Sequence, residues 1–201
     1  MADVTTGNKM EKPELTFPPE ESALIRDAYA KADVILEYGS GGSTVLAAEM
    51  EGKTIFSVEN DKFWARSMRR YFMQNPPKSS VEMIWIDTGK TKKWGWPADT
   101  EKWMNYANYP LQVWDREDFV QPDVVLIDGR FRIGCALATL YRTKKTVTVY
   151  IDDYVGRNRY RVIENYLGEP VFTGRIAKFT VKPNKFPAEK MLEIVQLMIA
   201  P

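Results

Sequence analysis

The feature that most constrains the fold is the segment VILEYGSGGST, residues 34–44. Its first part is a short, continuously apolar run, which is typical of a strand buried in a parallel sheet. The glycines that follow allow a sharp turn and a close approach of the backbone to a ligand. Ser43 and Thr44 then open a helix, whose free N–H groups can meet an anionic or polar group. The segment therefore predicts a strand, a glycine loop and a helix around a ligand site.

The same alternation of strand and helix repeats along the chain. Strands are predicted at residues 34–39, 54–60, 80–87, 123–128 and 146–153. Helices are predicted at residues 17–32, 43–51, 62–75, 134–142 and 157–168. This alternation indicates an α/β fold with a doubly wound, mostly parallel sheet. Ligands of such sheets lie outside the carboxyl ends of the strands, so the residues directly after each strand are the functional candidates.

The last part of the chain departs from this rhythm. Residues 170–183 are expected to form a hairpin or one long bent strand. Residues 188–200 could form a helix or a strand, and the pattern favours a helix. The apolar residues that would share its face are Met191, Ile194, Val195 and Met198.

A length of 201 residues is expected to give a single domain. Residues 1–16 are polar and are expected to be loosely ordered. Residues 89–121 form an aromatic-rich insertion that is too long for an ordinary connection. Two interpretations of this insertion stay open: its aromatic side chains pack it onto the body of the domain, or it is a lid over the active cleft.

Composition excludes several classes of function. The chain has no histidine, which removes serine–histidine and cysteine–histidine catalysis and the commonest zinc ligands. Its 28 basic and 27 acidic residues give a net charge of +1, so no overall charge favours nucleic acid or an anionic membrane. The single Cys135 cannot form an internal disulfide and is expected to be a buried small hydrophobe. With no secretory signal or membrane-spanning run, these features lead us to expect a cytoplasmic protein with a small-molecule ligand.

The glycine loop does not match the dinucleotide pattern G-x-G-x-x-G, because the position of the third glycine is Thr44. Its spacing is instead acid-x-G-x-G-x-small, with Glu37, Gly39, Gly41 and Ser43. The second strand ends at Glu59, 18 residues after Gly41, where a carboxylate can accept hydrogen bonds from ribose hydroxyls. A simple alternative is a tight strand-to-helix turn followed by a surface acid.

The successive motifs EYGSGGST, SVEN, WIDTG and DVVLIDG resemble those of class I S-adenosylmethionine-dependent methyltransferases, from about residue 20 to residue 182. The resemblance implies a Rossmann-like, mostly parallel sheet with an antiparallel strand near the C-terminus. It also implies S-adenosylmethionine as the cofactor, with Glu37 beneath its amino-acid end and Glu59 on its ribose. The other cofactor-binding residues that it implies are Tyr38, Gly39, Ser40, Gly41 and Ser43 near the methionine part, and Asp87 and Thr88 near the adenine. Asp87 alone fits a turn equally well, because Asp-Thr-Gly is common in turns.

Three aspartates follow the fourth and fifth strands, which are expected to be neighbours. Asp128 lies in IDGRFR, and Asp152 and Asp153 lie in YIDDY. Their positions resemble the metal ligands of metal-dependent O-methyltransferases that act on catechols or macrolide sugars, which implies a divalent cation such as Mg²⁺. In the alternative, these aspartates cap helices and pair with nearby arginines. The partners expected for that alternative are Arg130, Arg132, Arg157 and Arg159.

Arg130 is the main departure from those enzymes, because it replaces the aspartate that serves there as the general base. A guanidinium cannot accept a proton at working pH, so the catalytic pair Asp128 and Arg130 must work differently or not at all. The residues that could replace the base are Asp152, Asp153, Tyr154 and Lys90. Arg130 could instead hold a carboxylate or phosphate of an anionic acceptor.

Three functions follow from these motifs. The first is methyl transfer from S-adenosylmethionine to a small-molecule acceptor. The second is a catalytically silent, methyltransferase-like binding or sensing protein, which Arg130 favours. The third is an NAD-dependent oxidoreductase, against which the absent third glycine and the absent histidine count.

Overall fold

A computed structural model describes residues 10–201, and within them a single sheet of seven strands forms the centre of the protein. The strands are β1 (Val34–Tyr38), β2 (Thr54–Glu59), β3 (Ser80–Trp85), β4 (Val124–Ile127), β5 (Val147–Ile151), β6 (Val171–Thr173) and β7 (Ile176–Val181). Their order across the sheet is β3-β2-β1-β4-β5-β7-β6. The first five strands are parallel, and β7 runs antiparallel to both β5 and β6. The predicted mostly parallel sheet with an antiparallel C-terminal strand is confirmed.

Helices cover both faces of this sheet. They are α1 (Pro19–Lys31), α2 (Gly42–Glu49), α3 (Lys62–Gln74), α4 (Asn108–Leu111), α5 (Arg132–Arg142), α6 (Glu164–Leu167) and α7 (Met191–Met198). Ile35 of β1 packs with α1 and α2, whereas Leu36 and Tyr38 face the core that contains α5 and α7. No helix in the described part of the chain is both long enough and apolar enough to cross a membrane.

Two of the predicted helices differ from the expectation. Residues 158–163 form a 3₁₀-helix, and only Glu164–Leu167 continue as an α-helix. A three-residue period places Tyr160 and Ile163 on one side, where both are buried. In α7 the buried face consists of Ile194 and Met198, while Met191 and Val195 are 53% and 49% exposed.

The aromatic-rich insertion divides into two parts. Within residues 106–114, the side chains of Tyr106, Tyr109, Val113 and Trp114 belong to the core. Trp114 Nε1 donates to the Tyr38 hydroxyl at 2.7 Å, which in turn donates to the Pro110 carbonyl at 2.7 Å. Trp94 is 75% exposed and lies at the opposite end of the insertion. Simple packing therefore describes residues 106–114, whereas the turn around Trp94 remains free to contact a ligand.

The N-terminal segment crosses the glycine loop before α1 begins. Residues 10–16 form no helix or strand, but Pro13 is buried and Phe17 joins the core beneath α1. Any side chain at Gly42 would overlap the backbone of Glu14, so this glycine allows the segment to lie directly on the loop. Residues 1–9, the rest of the segment expected to be loosely ordered, lie outside the described residues.

Candidate active site

A cavity of about 780 Å³ lies at the carboxyl ends of β1, β2, β4 and β5, where the doubly wound sheet predicts a ligand site. Its walls combine the glycine loop, the end of β2, the turn at Trp94–Trp96 and the residues after β4 and β5. The N-terminal residues 13–17 close one side. The cavity therefore brings together six segments from different parts of the sequence.

Gly39 and Gly41 have different roles in the glycine loop. Gly39 has a φ of +99°, and a Cβ atom there would lie 2.6 Å from the backbone nitrogen of Gly129. Only glycine lets the loops after β1 and β4 approach so closely. Gly41 has no heavy atom within 4 Å of its Cβ position and lines the cavity, so its backbone is open to a ligand.

Glu37 lies beneath the loop and does not line the cavity. Its carboxylate accepts hydrogen bonds from Tyr29 at 2.6 Å, Thr44 at 2.5 Å and Ser57 at 3.3 Å. Complete burial raises the pKa of Glu37, and these hydroxyl donors oppose that shift. The structure thus gives Glu37 a supporting role, because its hydrogen bonds connect α1, α2 and β2 to the strand that precedes the glycine loop.

Glu59 stands at the end of β2 and does line the cavity. Its Oε1 accepts from the backbone amides of Asn60 at 2.7 Å and Asp61 at 2.8 Å, and its Oε2 accepts from the amide of Ser40 at 3.2 Å. Burial raises the pKa of Glu59, whereas the amide donors lower it. The carboxylate is thereby held against the glycine loop, with lone pairs left for hydroxyl groups of a ligand.

Asp87 and Thr88 lie behind the cavity wall and do not line the cavity. Asp87 forms an ion pair with Lys102, and Thr88 is buried and accepts from Asn60 Nδ2 at 3.0 Å. The same amide group donates to the Gly95 carbonyl at 2.8 Å. Asn60 therefore fixes the Trp94–Trp96 turn to the ends of β2 and β3. Asn60 lies in the motif SVEN, and its place directly after a strand is the sequence signal that points to such a role.

The three aspartates after β4 and β5 do lie together, and each is paired with an arginine. The Asp152 carboxylate accepts hydrogen bonds from Nε and Nη2 of Arg175, at 2.8 and 2.9 Å. The other two pairs are Asp153 with Arg157 at 2.7 Å, and Asp128 with Arg132 at 3.1 Å. Within residues 10–201, no group of three acidic or cysteine side chains is placed to hold a metal ion. This arrangement does not fit a Mg²⁺ ion, because the carboxylate oxygens that would bind it already face guanidinium groups.

The arginine partners differ in part from those expected. Arg132 and Arg157 pair with the aspartates, while Arg130 and Arg159 form no ion pair with a described residue. Arg175 takes their place from the turn of the β6–β7 hairpin. Arg132 is almost fully buried and also donates from Nε to the Gly129 carbonyl at 3.0 Å and from Nη1 to the Asp152 carbonyl. It therefore connects the loops after β4 and β5.

Asp128 lines the cavity together with Asp152 and Asp153. Its side chain is 32% exposed, which is close to the 29% of Asp153. Burial raises the pKa of Asp128 to about 7, while Arg132 opposes this shift and the nearby Asp152 adds to it. A carboxyl group with this pKa exchanges protons close to neutral pH.

The other candidates for a general base are less suitable. Tyr154 is buried, and both burial and the nearby Glu164 raise its pKa. Its hydroxyl already contacts the Tyr160 carbonyl and the Glu164 carboxylate. Lys90 does not line the cavity. The ion pairs of Asp152 and Asp153, at 2.8 and 2.7 Å, are shorter than that of Asp128, at 3.1 Å, so Asp128 is the best placed proton acceptor.

Arg130 lines the same cavity, but its guanidinium makes no hydrogen bond with any described residue. It is only 7% exposed, and its guanidinium carbon lies 4.5 Å from the centre of the Trp96 ring. Burial and the charge of Arg132 lower the pKa of Arg130. Its Nε is buried without a partner, an unusual state for a charged donor.

Backbone strain is also concentrated around the cavity. Among the described residues, the non-glycine residues with positive φ are Trp94 at +65°, Phe131 at +53° and Asp153 at +51°. Trp94 and Asp153 line the cavity, and Phe131 directly follows Arg130. Each such conformation costs about 1–3 kcal/mol and is often retained at functional sites.

Comparison with known proteins places this site in a family. No protein-family model matches the chain, and no curated protein is significantly similar to it in sequence. Among solved structures, a methyltransferase-like protein from Silicibacter pomeroyi is 48% identical, with a TM-score of 0.92, and the match covers 94% of this chain and 99% of that chain. Cofactor-bound Rv0187 from MTB is 16% identical, with a TM-score of 0.58, covering 87% of this chain and 85% of that one. The O-methyltransferase TomG from Streptomyces achromogenes, solved in complex with SAM, is 14% identical, with a TM-score of 0.52 and coverage of 85% and 82%. The last two share the fold, and the first shares the sequence as well: the chain belongs to the methyltransferase-like proteins of the class I S-adenosylmethionine-dependent methyltransferase fold.

Proposed function

We propose that this protein transfers a methyl group from S-adenosylmethionine to a small-molecule acceptor. The observation that carries the proposal is the single cavity in which the open glycine loop and Glu59 face Asp128, a carboxyl group that can exchange a proton near neutral pH. The bound SAM of TomG and the bound cofactor of Rv0187 support the choice of ligand, because both proteins share this fold.

The residues of the cavity fit this cofactor. The backbone at Gly39–Gly41 would hold its amino-acid part, since Gly41 is open to the cavity. Glu59 would accept hydrogen bonds from the ribose hydroxyls, and Trp64 and Trp94 supply aromatic surface beside the end of β2. When bound, S-adenosylmethionine supplies a methyl group on a positively charged sulfur.

The chain itself would contribute positioning, exclusion of water and a proton acceptor. Residues 13–17 and the Trp94–Trp96 turn cover part of the cavity and would shield the bound reactants from bulk solvent. Asp128 would take the proton from the acceptor as its nucleophilic atom is methylated, because its carboxylate form is populated above about pH 7.

A second candidate is binding of the same cofactor without turnover. It is favoured by Arg130, which stands where the resembling metal-dependent enzymes have a catalytic aspartate, and by the arginine-paired aspartates. Such a protein would use the cavity to sense the cofactor or its demethylated product.

Two measurements separate these functions. Titration calorimetry with S-adenosylhomocysteine should show binding to the purified protein, whereas NAD should give no heat. Production of S-adenosylhomocysteine from S-adenosylmethionine should then rise with one member of a broad panel of small acceptors. Binding of NAD and not of S-adenosylhomocysteine would refute both candidates, and cofactor binding without transfer to any acceptor would favour the second.

A further inference from the structure

The charges beyond β4 and β5 leave one arginine without a carboxylate partner. Three aspartates and four arginines line this end of the cavity. The three ion pairs described above use every aspartate and all of the arginines except Arg130. Arg130 is therefore the arginine at this end of the cavity that forms no ion pair with a described residue.

The surroundings of Arg130 hold its guanidinium in a defined orientation. One face lies over the Trp96 ring, at 4.5 Å from the guanidinium carbon to the ring centre. Trp96 follows Gly95, whose carbonyl accepts a hydrogen bond from Asn60 Nδ2 at 2.8 Å, and this bond fixes the Trp94–Trp96 turn. Stacking of this kind covers a face of the guanidinium but leaves its N–H groups free in the plane. Nε is buried without an acceptor, which is unfavourable, so a ligand that supplies acceptor oxygens to the guanidinium would be bound with a net gain.

We propose that Arg130 binds a carboxylate of the methyl acceptor, so that the acceptor is a small organic acid. This inference rests on the proposed function above and names the chemical class of its acceptor. A planar carboxylate matches the fork of a guanidinium with two parallel hydrogen bonds. A single guanidinium without an ion pair suits a carboxylate better than a phosphate dianion, which would also be repelled by the nearby Asp128, Asp152 and Asp153.

The position of Arg130 also relates this carboxylate to the reaction. Arg130 and Asp128 are separated by one residue, Gly129, and both line the same cavity. An acceptor whose carboxylate lies on Arg130 would therefore occupy the same cavity as the proton acceptor Asp128. Arg130 is thus a specificity-determining residue in this proposal, and it takes no part in proton transfer.

The cofactor carries a carboxylate of its own, which the test must separate from that of the acceptor. We would compare the wild type with Arg130→Met, which removes the charge and keeps the length of the side chain, and with Arg130→Lys, which keeps the charge and removes the fork. Calorimetry with S-adenosylhomocysteine and with 5′-methylthioadenosine, which lacks the amino-acid part, measures the cofactor site. We expect both variants to bind each nucleoside within about twofold of the wild type.

Benzoate and its neutral analogue benzamide then probe the acceptor site of the protein saturated with S-adenosylhomocysteine, by ligand-observed NMR. We expect the wild type to bind benzoate at least tenfold more tightly than benzamide. Arg130→Met should lose at least tenfold in benzoate affinity, and Arg130→Lys should fall between the two. Arg159→Met is the matched control, because Arg159 also stacks on Trp96, at 5.5 Å, but does not line the cavity. This control should bind benzoate as the wild type does.

Several results would overturn the inference. Equal affinity of the wild type and Arg130→Met for benzoate would show that Arg130 does not bind the carboxylate of the acceptor. A tenfold loss of S-adenosylhomocysteine affinity with unchanged 5′-methylthioadenosine affinity would show that Arg130 holds the carboxylate of the cofactor instead. Tighter binding of inorganic phosphate than of benzoate would replace the organic acid by a phosphorylated acceptor. Failure of the wild type to bind S-adenosylhomocysteine would refute the proposed function itself and is recognised before any benzoate is added.

Discussion

Replacement of Glu59 by glutamine tests how the cavity recognises a nucleoside. The carboxylate uses Oε1 for the amides of Asn60 and Asp61 and Oε2 for the amide of Ser40. A glutamine would keep its single oxygen on the first two amides, so its NH₂ group would face the amide of Ser40 and the cavity. That group cannot accept a hydrogen bond from a ribose hydroxyl.

The expected magnitude follows from the contact that is lost. A hydrogen bond to a charged acceptor contributes about 1.5–3 kcal/mol, so S-adenosylhomocysteine should bind about 10- to 150-fold more weakly to Glu59→Gln. The stability of the free protein should change much less, because two effects oppose each other. The unsatisfied Ser40 amide costs about 1–3 kcal/mol, and removal of a buried charge, whose burial raises the pKa of Glu59, offsets part of that cost.

Titration calorimetry on the wild type and the variant measures the affinity, and urea unfolding without ligand measures the stability. Glu51→Gln is the control, because it is the same substitution on an exposed side chain that lies outside the cavity. If the wild type binds S-adenosylhomocysteine and Glu59→Gln binds it within twofold, the assignment of Glu59 to the ribose is wrong. A large loss of stability with unchanged affinity would instead give Glu59 a purely structural role.

Three further predictions concern the pairing, the loop and the core. Burial raises the pKa of Asp128 from 3.8 to about 7, so between these pH values the folded protein binds more protons than the unfolded chain. The free energy of unfolding should therefore fall as the pH rises from about 4 to 7. Urea unfolding of Asp128→Asn should lack this part of the pH dependence. Gly42→Ala should displace the N-terminal segment, which its Cβ would overlap at Glu14, and a glutamyl endopeptidase should then cleave the Glu14–Leu15 bond faster than in the wild type. Gly134→Ala should lower the free energy of unfolding by about 1–3 kcal/mol, because its Cβ would lie 2.8 Å from the Met198 carbonyl and would push α7 away from α5. A lower urea midpoint would reveal this loss of stability.

The strands and the ligand-bearing edge of the sheet follow from the sequence because they depend on local patterns. Continuous apolar runs identified β1 to β5, and the glycines after β1 identified the turn that brings the loop against Gly129. Glu59 could be placed near the glycine loop because one helix and one strand fix its distance from the loop. The hydrogen bonds between its carboxylate and backbone amides could not be predicted, since they depend on how the chain turns after β2.

The aromatic insertion shows where local patterns fail. Trp94 and Trp114 lie only 20 residues apart and are equally apolar, yet one is exposed at the cavity and the other is buried against Tyr38. Nothing in the sequence between them marks the difference. It arises because Tyr38, at the end of β1, offers a hydroxyl that both the Trp114 indole and the Pro110 carbonyl can reach.

The aspartate cluster depends on a contact that no local pattern contains. Asp152 follows β5, and Arg175 lies in the turn between β6 and β7, 23 residues later. The two meet because β7 runs antiparallel beside β5, which brings the start of β7 to the carboxyl end of the parallel strands. With Arg175 in place, each aspartate has its own guanidinium and Arg130 is left over. Because every carboxylate of the cluster faces a guanidinium, the cluster has no free set of ligands for a cation, and we therefore propose an organic anion, and not a metal ion, as the ligand at this end of the cavity.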